Sequence, residues 1–150
     1  MRARESTHVD APVSDVFAFM DDPHNHAAVT PRLTDVRDIA RLDNGGKRLS
    51  YTYKMAGFGI DGELVQTVHE PDERMCFELR GRLTGTIELL FRPADGGTKL
   101  VYAAEYDFPE LASTTGVRSV VRRFNRRQLR ATLRNVARRF ADASDGSATR

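Results

Sequence analysis

The sequence predicts an α+β domain with a seven-stranded antiparallel sheet, two short helices after the first strand and one long C-terminal helix. Three observations support this fold class. The 150-residue chain has an ordinary globular composition, with 40% hydrophobic and 29% charged residues. Six β-type segments separated by turn signals fill residues 33–109, and a basic amphipathic segment follows them. Short turns between consecutive strands favour an antiparallel meander.

The first strand and two helices are predicted from residues 6–30. A short strand, "STHV", leads into "DAPVSDVFAFMDDP". Pro12 suits the first turn of a helix, and apolar residues recur behind it at helical spacing, namely Val13, Val16, Phe17 and Met20. The helix is expected to stop at Asp22-Pro23, and a second short helix or turn is expected at "HNHAA" before Pro31.

The meander is predicted to have one apolar face. In "KRLSYTYKM", Leu49, Tyr51, Tyr53 and Met55 alternate with polar residues, and successive side chains of a strand point to opposite faces. Turns rich in Gly, Pro, Asp and Asn separate this strand from its neighbours. The apolar face needs a cover, and the end of the chain can supply it.

The C-terminal segment is predicted to be a helix over about residues 114–141. At 100° per residue its apolar side chains fall on one arc, namely Val121, Phe124, Leu129, Leu133, Val136 and Phe140. Arginines such as Arg126, Arg130 and Arg134 fall on the opposite side. We therefore expect the apolar arc to face the sheet and the arginines to lie in solvent.

Charge is distributed unevenly along the chain. Residues 1–116 carry 13 Lys and Arg against 19 Asp and Glu, a net charge of −6, whereas residues 117–141 carry nine Arg and no acid. The whole-chain value of +2 hides this asymmetry. A basic helix face can contact anionic lipid or an acidic partner. Nucleic acid is not expected as a partner, because no aromatic residues for base stacking and no reading motif accompany the arginines.

One domain is expected over residues 1–143, followed by a disordered polar tail at 144–150. No apolar segment is long enough to span a bilayer, and the N-terminus lacks the apolar region of a secretory signal. A single cysteine, Cys76, can form no internal disulfide. These features predict a cytoplasmic protein.

No catalytic or metal-binding constellation is recognised. His24 and His26 lack further ligands nearby, so a solvated turn is the favoured interpretation. His69 would be a general acid or base only if it turned inward with Glu78 or Glu105, and a surface or edge position is favoured. Cys76 resembles a small buried apolar residue, with no histidine partner to activate it. We expect no metal and no cofactor.

The order of elements is that of the helix-grip fold. Three segments that together span nearly the whole chain carry a family resemblance, namely "VDAPVSDVFAFMDDP", "RLTGTIELLFRPADGGTKLVYAAEYDFPE" and "RRQLRATLRNVARRF". With them the chain resembles the START-like or SRPBCC superfamily, in the branch of polyketide cyclase/dehydrase-like and coenzyme Q-binding proteins. These motifs specify fold better than function.

The resemblance implies a curved sheet around the C-terminal helix, with a hydrophobic cavity between them. The tyrosines of the strands either line a partly polar cavity or lie at the sheet edge with their hydroxyls in water. Phe58, between Gly57 and Gly59, either gates the mouth or packs on its own hairpin. The predicted ligand-binding residues are Tyr51, Tyr53, Met55, Phe58, Phe77, Leu89, Tyr102, Val121 and Phe124.

Three functional hypotheses follow. The leading one is a carrier or sensor that binds a hydrophobic or aromatic small molecule, such as a lipid, a quinone or a polyketide-like compound. The first alternative is an aromatase/cyclase-type enzyme, which would need placed acids or bases. The second is a surface adaptor that uses the Arg-rich helix face. The sequence identifies neither the ligand nor an oligomeric state.

Overall fold

A computed structural model describes the backbone of residues 2–55, 58–107 and 117–148, and the side chains of residues 3–54, 59–107, 123 and 125–141. The elements, in chain order, are β1 (Arg2–Val9), α1 (Val13–Asp21), α2 (Pro23–Val29), β2 (Leu33–Arg41), β3 (Lys47–Met55), β4 (Phe58–Glu70), β5 (Arg74–Gly81), β6 (Thr84–Ala94), β7 (Gly97–Asp107) and α3 (Val117–Ala148). The predicted helix-grip arrangement of seven strands, two short helices and a C-terminal helix is confirmed.

The sheet is antiparallel, with strand order β1-β7-β6-β5-β4-β3-β2. Because β1 and β2 lie at opposite edges of the curved sheet, the chain between them must cross one face. That crossing segment contains α1 and α2, and α1 packs against β6 and β7 while α2 packs beside β2. The face that they cover, here called the inner face, holds the core.

The two short helices form where the sequence predicts them. Pro12 precedes the first residue of α1, and Val16, Phe17 and Met20 are buried toward the sheet. Asp22 caps α2 by accepting a hydrogen bond from the His24 backbone N–H at 2.9 Å. Pro23 occupies the first turn of α2, where its missing N–H carries no penalty.

Strict alternation places large apolar side chains on the inner face. In β5 the buried residues are Met75, Phe77 and Leu79, and in β6 they are Ile87, Leu89 and Phe91. Cys76 points to the opposite face, where it is half-buried 3.9 Å from Glu88 Oε2. It is therefore not the core residue that its neighbours suggested.

β2 departs from the regular strand that its sequence predicts. Its pairing with β3 shifts between Thr34 and Arg37 and again between Arg37 and Ala40. Asp35 and Asp38 adopt positive φ angles of 52° and 54° at these irregularities. Such bulges twist an edge strand and discourage pairing with another chain.

α3 runs along the inner face and contacts β1 and β7. Leu129, Leu133 and Val136 are buried, as the helical periodicity predicts. Two of its buried polar residues bind main-chain carbonyls of other segments: Asn125 Nδ2 donates to Ala104 O at 3.3 Å and Gln128 Nε2 donates to Pro31 O. The helix begins at Val117 and ends at Ala148, seven residues past the predicted end near 141. No helix that the structure describes is long and apolar enough to cross a membrane.

Candidate functional site

A cavity opens between the inner face of the sheet and helices α1 and α2. It measures about 750 Å³ with its open mouth counted. Most of the lining is apolar or aromatic, and the described residues that line it are Met20, Asp21, Pro23, His26, Thr30, Leu33, Val36, Lys47, Leu49, Tyr51, Tyr53, Leu64, Gln66, Phe77, Leu79, Leu83, Ile87, Tyr102 and Tyr106. A concave apolar space with a few polar groups is typical of small-molecule sites.

The structure places the predicted ligand-binding residues in three groups. Tyr51, Tyr53, Phe77 and Tyr102 line the cavity. Leu89 is fully buried in the core and does not line it. The side chains of the other four, Met55, Phe58, Val121 and Phe124, lie outside the described residues. The role of all nine in ligand binding stays a prediction.

His26 lies inside the cavity, and its assignment to a solvated turn is wrong. It shares the buried side of α2 with Val29, three residues later, and only 8% of it is exposed. Its Nε2 lies 3.1 Å from Tyr102 Oη on β7. The rings of Phe77 and Tyr102 meet it edge to face. Burial lowers the pKa of His26 to about 4, so the imidazole is neutral at pH 7.

Tyrosine hydroxyls supply much of the remaining polarity. Burial raises the pKa of Tyr51 to about 12, and it raises the pKa of Tyr53, Tyr102 and Tyr106 as well. All four are therefore neutral phenols at physiological pH, able to donate or accept a hydrogen bond. Among the described residues, Tyr51 Oη has no hydrogen-bond partner although it is buried.

Glycine makes room for Tyr51. Gly62 pairs with Tyr51 across β3 and β4, and a Cβ atom at Gly62 would lie 2.7 Å from Tyr51 Oη. Any other residue at position 62 would thus displace the phenol. The glycine fixes where this hydroxyl can lie.

One end of the cavity, here called the polar end, is formed by Asp21, Lys47 and Gln66. Lys47 Nζ lies 3.4 Å from Asp21 Oδ2 and donates to Asp21 O at 3.0 Å. Behind Asp21, His69 Nε2 lies 3.2 Å from Oδ1. His69 is mostly buried, and its ring meets Phe17 edge to face. Its interpretation as a surface or edge residue is therefore wrong, and its charged neighbour is Asp21 and not Glu78 or Glu105.

Gln66 is the buried member of the polar end, with only 2% exposed. Its Oε1 accepts a hydrogen bond from the Lys47 backbone N–H at 3.0 Å. Its Nε2 is buried and finds no hydrogen-bond partner in the described part of the chain. The side chain lies against Gly46, where a Cβ would come within 2.7 Å of Oε1. The amide is thus held with its donor group unpaired.

Sequence reasoning missed His26, Gln66 and the polar end. One signal was available for Gln66: it is two residues after Leu64 in β4, so strand alternation puts both on the inner face. No comparable signal exists for Asp21, because its partner His69 is 48 positions away. Among the described residues, no cluster of His, Cys, Asp or Glu could hold a metal ion.

Solved structures with the same fold cover nearly the whole chain. A Thermus thermophilus protein superposes with a TM-score of 0.81 at 15% identity, covering 96% of this chain and 99% of that one. The Zhui aromatase/cyclase from Streptomyces sp. R1128 gives a TM-score of 0.80 at 15% identity, covering 94% and 93%. A START superfamily protein from Mycobacterium smegmatis gives 0.77 at 13% identity, covering 95% and 98%. Identities this low show the fold alone.

The comparison with family models is more specific. No curated protein sequence matches the chain. A family model described as polyketide cyclase / dehydrase and lipid transport matches residues 1–141. That match takes in all seven strands, α1, α2 and most of α3. The chain therefore belongs to the polyketide cyclase / dehydrase and lipid transport family.

Proposed function

We propose that the protein binds a hydrophobic or aromatic small molecule in the cavity and acts in the cytoplasm as a carrier or sensor. The observation that carries this proposal is an apolar cavity with neutral phenols in its wall, one of which, Tyr51, is buried without a hydrogen-bond partner in the described part of the chain. Apolar contacts would supply most of the affinity, and the hydroxyls would orient the ligand. A lipid, a quinone and a polyketide-like compound all fit this description.

Binding of an apolar fluorescent probe tests the proposal. We expect N-phenyl-1-naphthylamine to bind the folded monomer at one saturable site. Leu64→Trp should weaken that binding, because Leu64 lines the cavity and indole would fill it. Val65→Trp, on the next residue and the opposite face of β4, is the matched control and should leave binding unchanged.

The stability of the variants distinguishes a cavity from a packed core. If the space is open to a ligand, Leu64→Trp should keep a cooperative thermal transition. Overfilling a packed interior typically costs about 1–3 kcal/mol. Absence of saturable binding by the wild type, together with strong destabilisation by Leu64→Trp, would show that the interior is solid and would end the carrier proposal.

An aromatase/cyclase-type enzyme is the second candidate, and the His26–Tyr102 pair favours it. A neutral imidazole 3.1 Å from a phenol can accept a proton from a carbon flanked by carbonyls, and the phenol can donate one to the oxygen formed. The fold shared with an aromatase/cyclase also supports this candidate. Against it, a pKa of about 4 makes His26 a weak base near neutral pH, where a base poised near the working pH is more effective.

Conservative variants separate the two candidates. A carrier should turn over no linear β-polyketone, either as the wild type or as His26→Gln or Tyr102→Phe. Turnover by the wild type that both variants abolish, with probe binding retained, would instead identify the pair as catalytic.

A further inference from the structure

We propose that the polar end binds an uncharged carbonyl oxygen, so that the ligand is an apolar ketone, ester, amide or quinone and not a hydrocarbon or a carboxylate. This inference rests on the proposed binding function and names the class of ligand. It depends on three features of the polar end: an unpaired donor, the fixed orientation of that donor, and the balance of charge around it.

The unpaired donor is the amide nitrogen of Gln66. The residue lines the cavity, is almost completely buried, and has no acceptor for Nε2 among the residues the structure describes. A buried polar group without a partner is costly, and most such groups in native proteins are satisfied. A ligand oxygen in the cavity would supply the missing acceptor.

The orientation of the amide is fixed by its other contacts. The Lys47 backbone N–H needs an acceptor, and only Oε1 of the amide can provide one. Asn44 Nδ2 donates to the Gln66 backbone oxygen at 3.0 Å, and Asn44 Oδ1 accepts from the Gly46 N–H at 2.8 Å. These contacts hold β4 beside the turn that joins β2 to β3. Nε2 is therefore available as a donor, which a carbonyl oxygen can satisfy and a hydrocarbon cannot.

The local charge favours a neutral acceptor over an anion. Lys47 is the one Lys or Arg among the described residues that line the cavity, and Asp21 balances its charge at 3.4 Å, with a second contact from Lys47 Nζ to Asp21 O. His69 lies on the far side of Asp21 and does not line the cavity. A carboxylate at this end would meet the Asp21 carboxylate without a free cation to offset the repulsion. A carbonyl oxygen avoids that cost.

Three naphthalenes of matched size test the proposal by competition with N-phenyl-1-naphthylamine. They are 2-acetylnaphthalene, 2-isopropylnaphthalene and 2-naphthoate. We expect the ketone to bind about ten- to a hundred-fold more tightly than the hydrocarbon, because one buried donor regains its partner. The carboxylate should bind more weakly than the ketone.

Two variants assign the preference to Gln66. Gln66→Leu removes the donor and should make the ketone and the hydrocarbon bind equally. Gln66→Glu keeps an acceptor for the Lys47 N–H but replaces the donor, and it should also abolish the preference. Thr67→Val, at the neighbouring exposed position of β4, is the control and should leave the preference intact. Far-UV circular dichroism checks that each variant is folded.

A measurement on the wild type keeps the proposal testable if the Gln66 variants do not fold. The carbonyl stretching band of bound 2-acetylnaphthalene should move to lower frequency than in an apolar solvent, as expected for a hydrogen-bonded carbonyl. An unshifted band would overturn the inference.

The other possible results distinguish failure of the carbonyl assignment from failure of the proposed binding function. Equal binding of all three naphthalenes, or tighter binding of the carboxylate, would overturn the carbonyl assignment and leave the binding function standing. A ketone preference that persists in Gln66→Leu would also overturn it, since the carbonyl would then lie elsewhere. Failure of every naphthalene and of the probe to bind would contradict the proposed function itself.

Discussion

The polar residues on the inner face of the sheet are few and buried, whereas those on the outer face of α3 are numerous and exposed. Within the cavity a few groups, such as His26, Gln66 and Tyr102, are each buried at a defined position. On α3, five arginines surround a shallow surface depression, namely Arg123, Arg126, Arg127, Arg130 and Arg134. Water already solvates the arginines, so each contributes little to stability, whereas each buried group must find a partner or lower the stability.

One acidic residue connects the two regions. Glu5, on the inner face of β1, lies 3.1 Å from Arg130 Nε and 3.8 Å from Arg126 Nε. Both arginine side chains are more than half exposed, at 62% and 53%. The pairs are therefore surface ion pairs, although they join elements at the two ends of the chain. The number of charges on a surface therefore says little about how strongly its elements are held together.

The largest effect is expected on the buried side of α3. Leu133→Ala should lower the free energy of unfolding by about 2–5 kcal/mol, because Leu133 is 3% exposed and the core would be left with a cavity. Chemical denaturation provides the measurement. Arg134→Ala, at the next residue on the exposed face, is the control and should change stability by less than about 0.5 kcal/mol. Equal effects of the two substitutions would contradict the assignment of faces.

A smaller effect is expected from titration of His26. The ordinary pKa of 6.5 in the unfolded chain falls to about 4 in the folded protein. Between these values the unfolded chain binds more protons, so stability should fall as the pH falls from about 6.5 to about 4. The loss is about 3 kcal/mol at most, from the 1.36 kcal/mol that each pKa unit represents.

Comparison with a neighbouring histidine isolates this effect. His26→Gln should remove that part of the pH dependence of unfolding, while His24→Gln, at an exposed position in the same helix, should keep it. Denaturation curves recorded across the pH window provide the comparison. A wild-type curve that matches His26→Gln throughout would show that His26 is not buried in the neutral form.

The smallest effect is expected from the arginines. Replacing Arg126, Arg130 and Arg134 together with Gln should leave the fold intact and change stability by less than about 1 kcal/mol, since exposed ion pairs are weak and the loss of neighbouring like charges relieves their repulsion. A loss of several kcal/mol would contradict this and would make the Glu5 pairs structural. If the variant folds but no longer binds anionic vesicles that the wild type binds, the surface-adaptor hypothesis gains support.

The arrangement of strands and helices was predictable because it depends on local periodicity. Alternation in "KRLSYTYKM" placed Leu49, Tyr51 and Tyr53 on one face, and all three are buried there. The apolar arc of α3 likewise identified Leu129, Leu133 and Val136. The irregular pairing of β2 was missed, although "LTDVRDIARL" carries a signal of it: Leu33, Val36 and Ile39 recur every three residues, whereas a regular strand repeats every two.

The fold class, the apolar faces, the basic face of α3 and the resemblance to the family follow from the sequence alone, because each depends on residues close together in the chain or on recognisable motifs. Which polar residues share the cavity depends on the tertiary structure. His26 meets Tyr102 across 76 positions, and Lys47 and Gln66, 19 positions apart, meet through the pairing of β3 with β4. The partners and the burial of a polar side chain depend on such distant contacts, so composition and spacing carry little information about them.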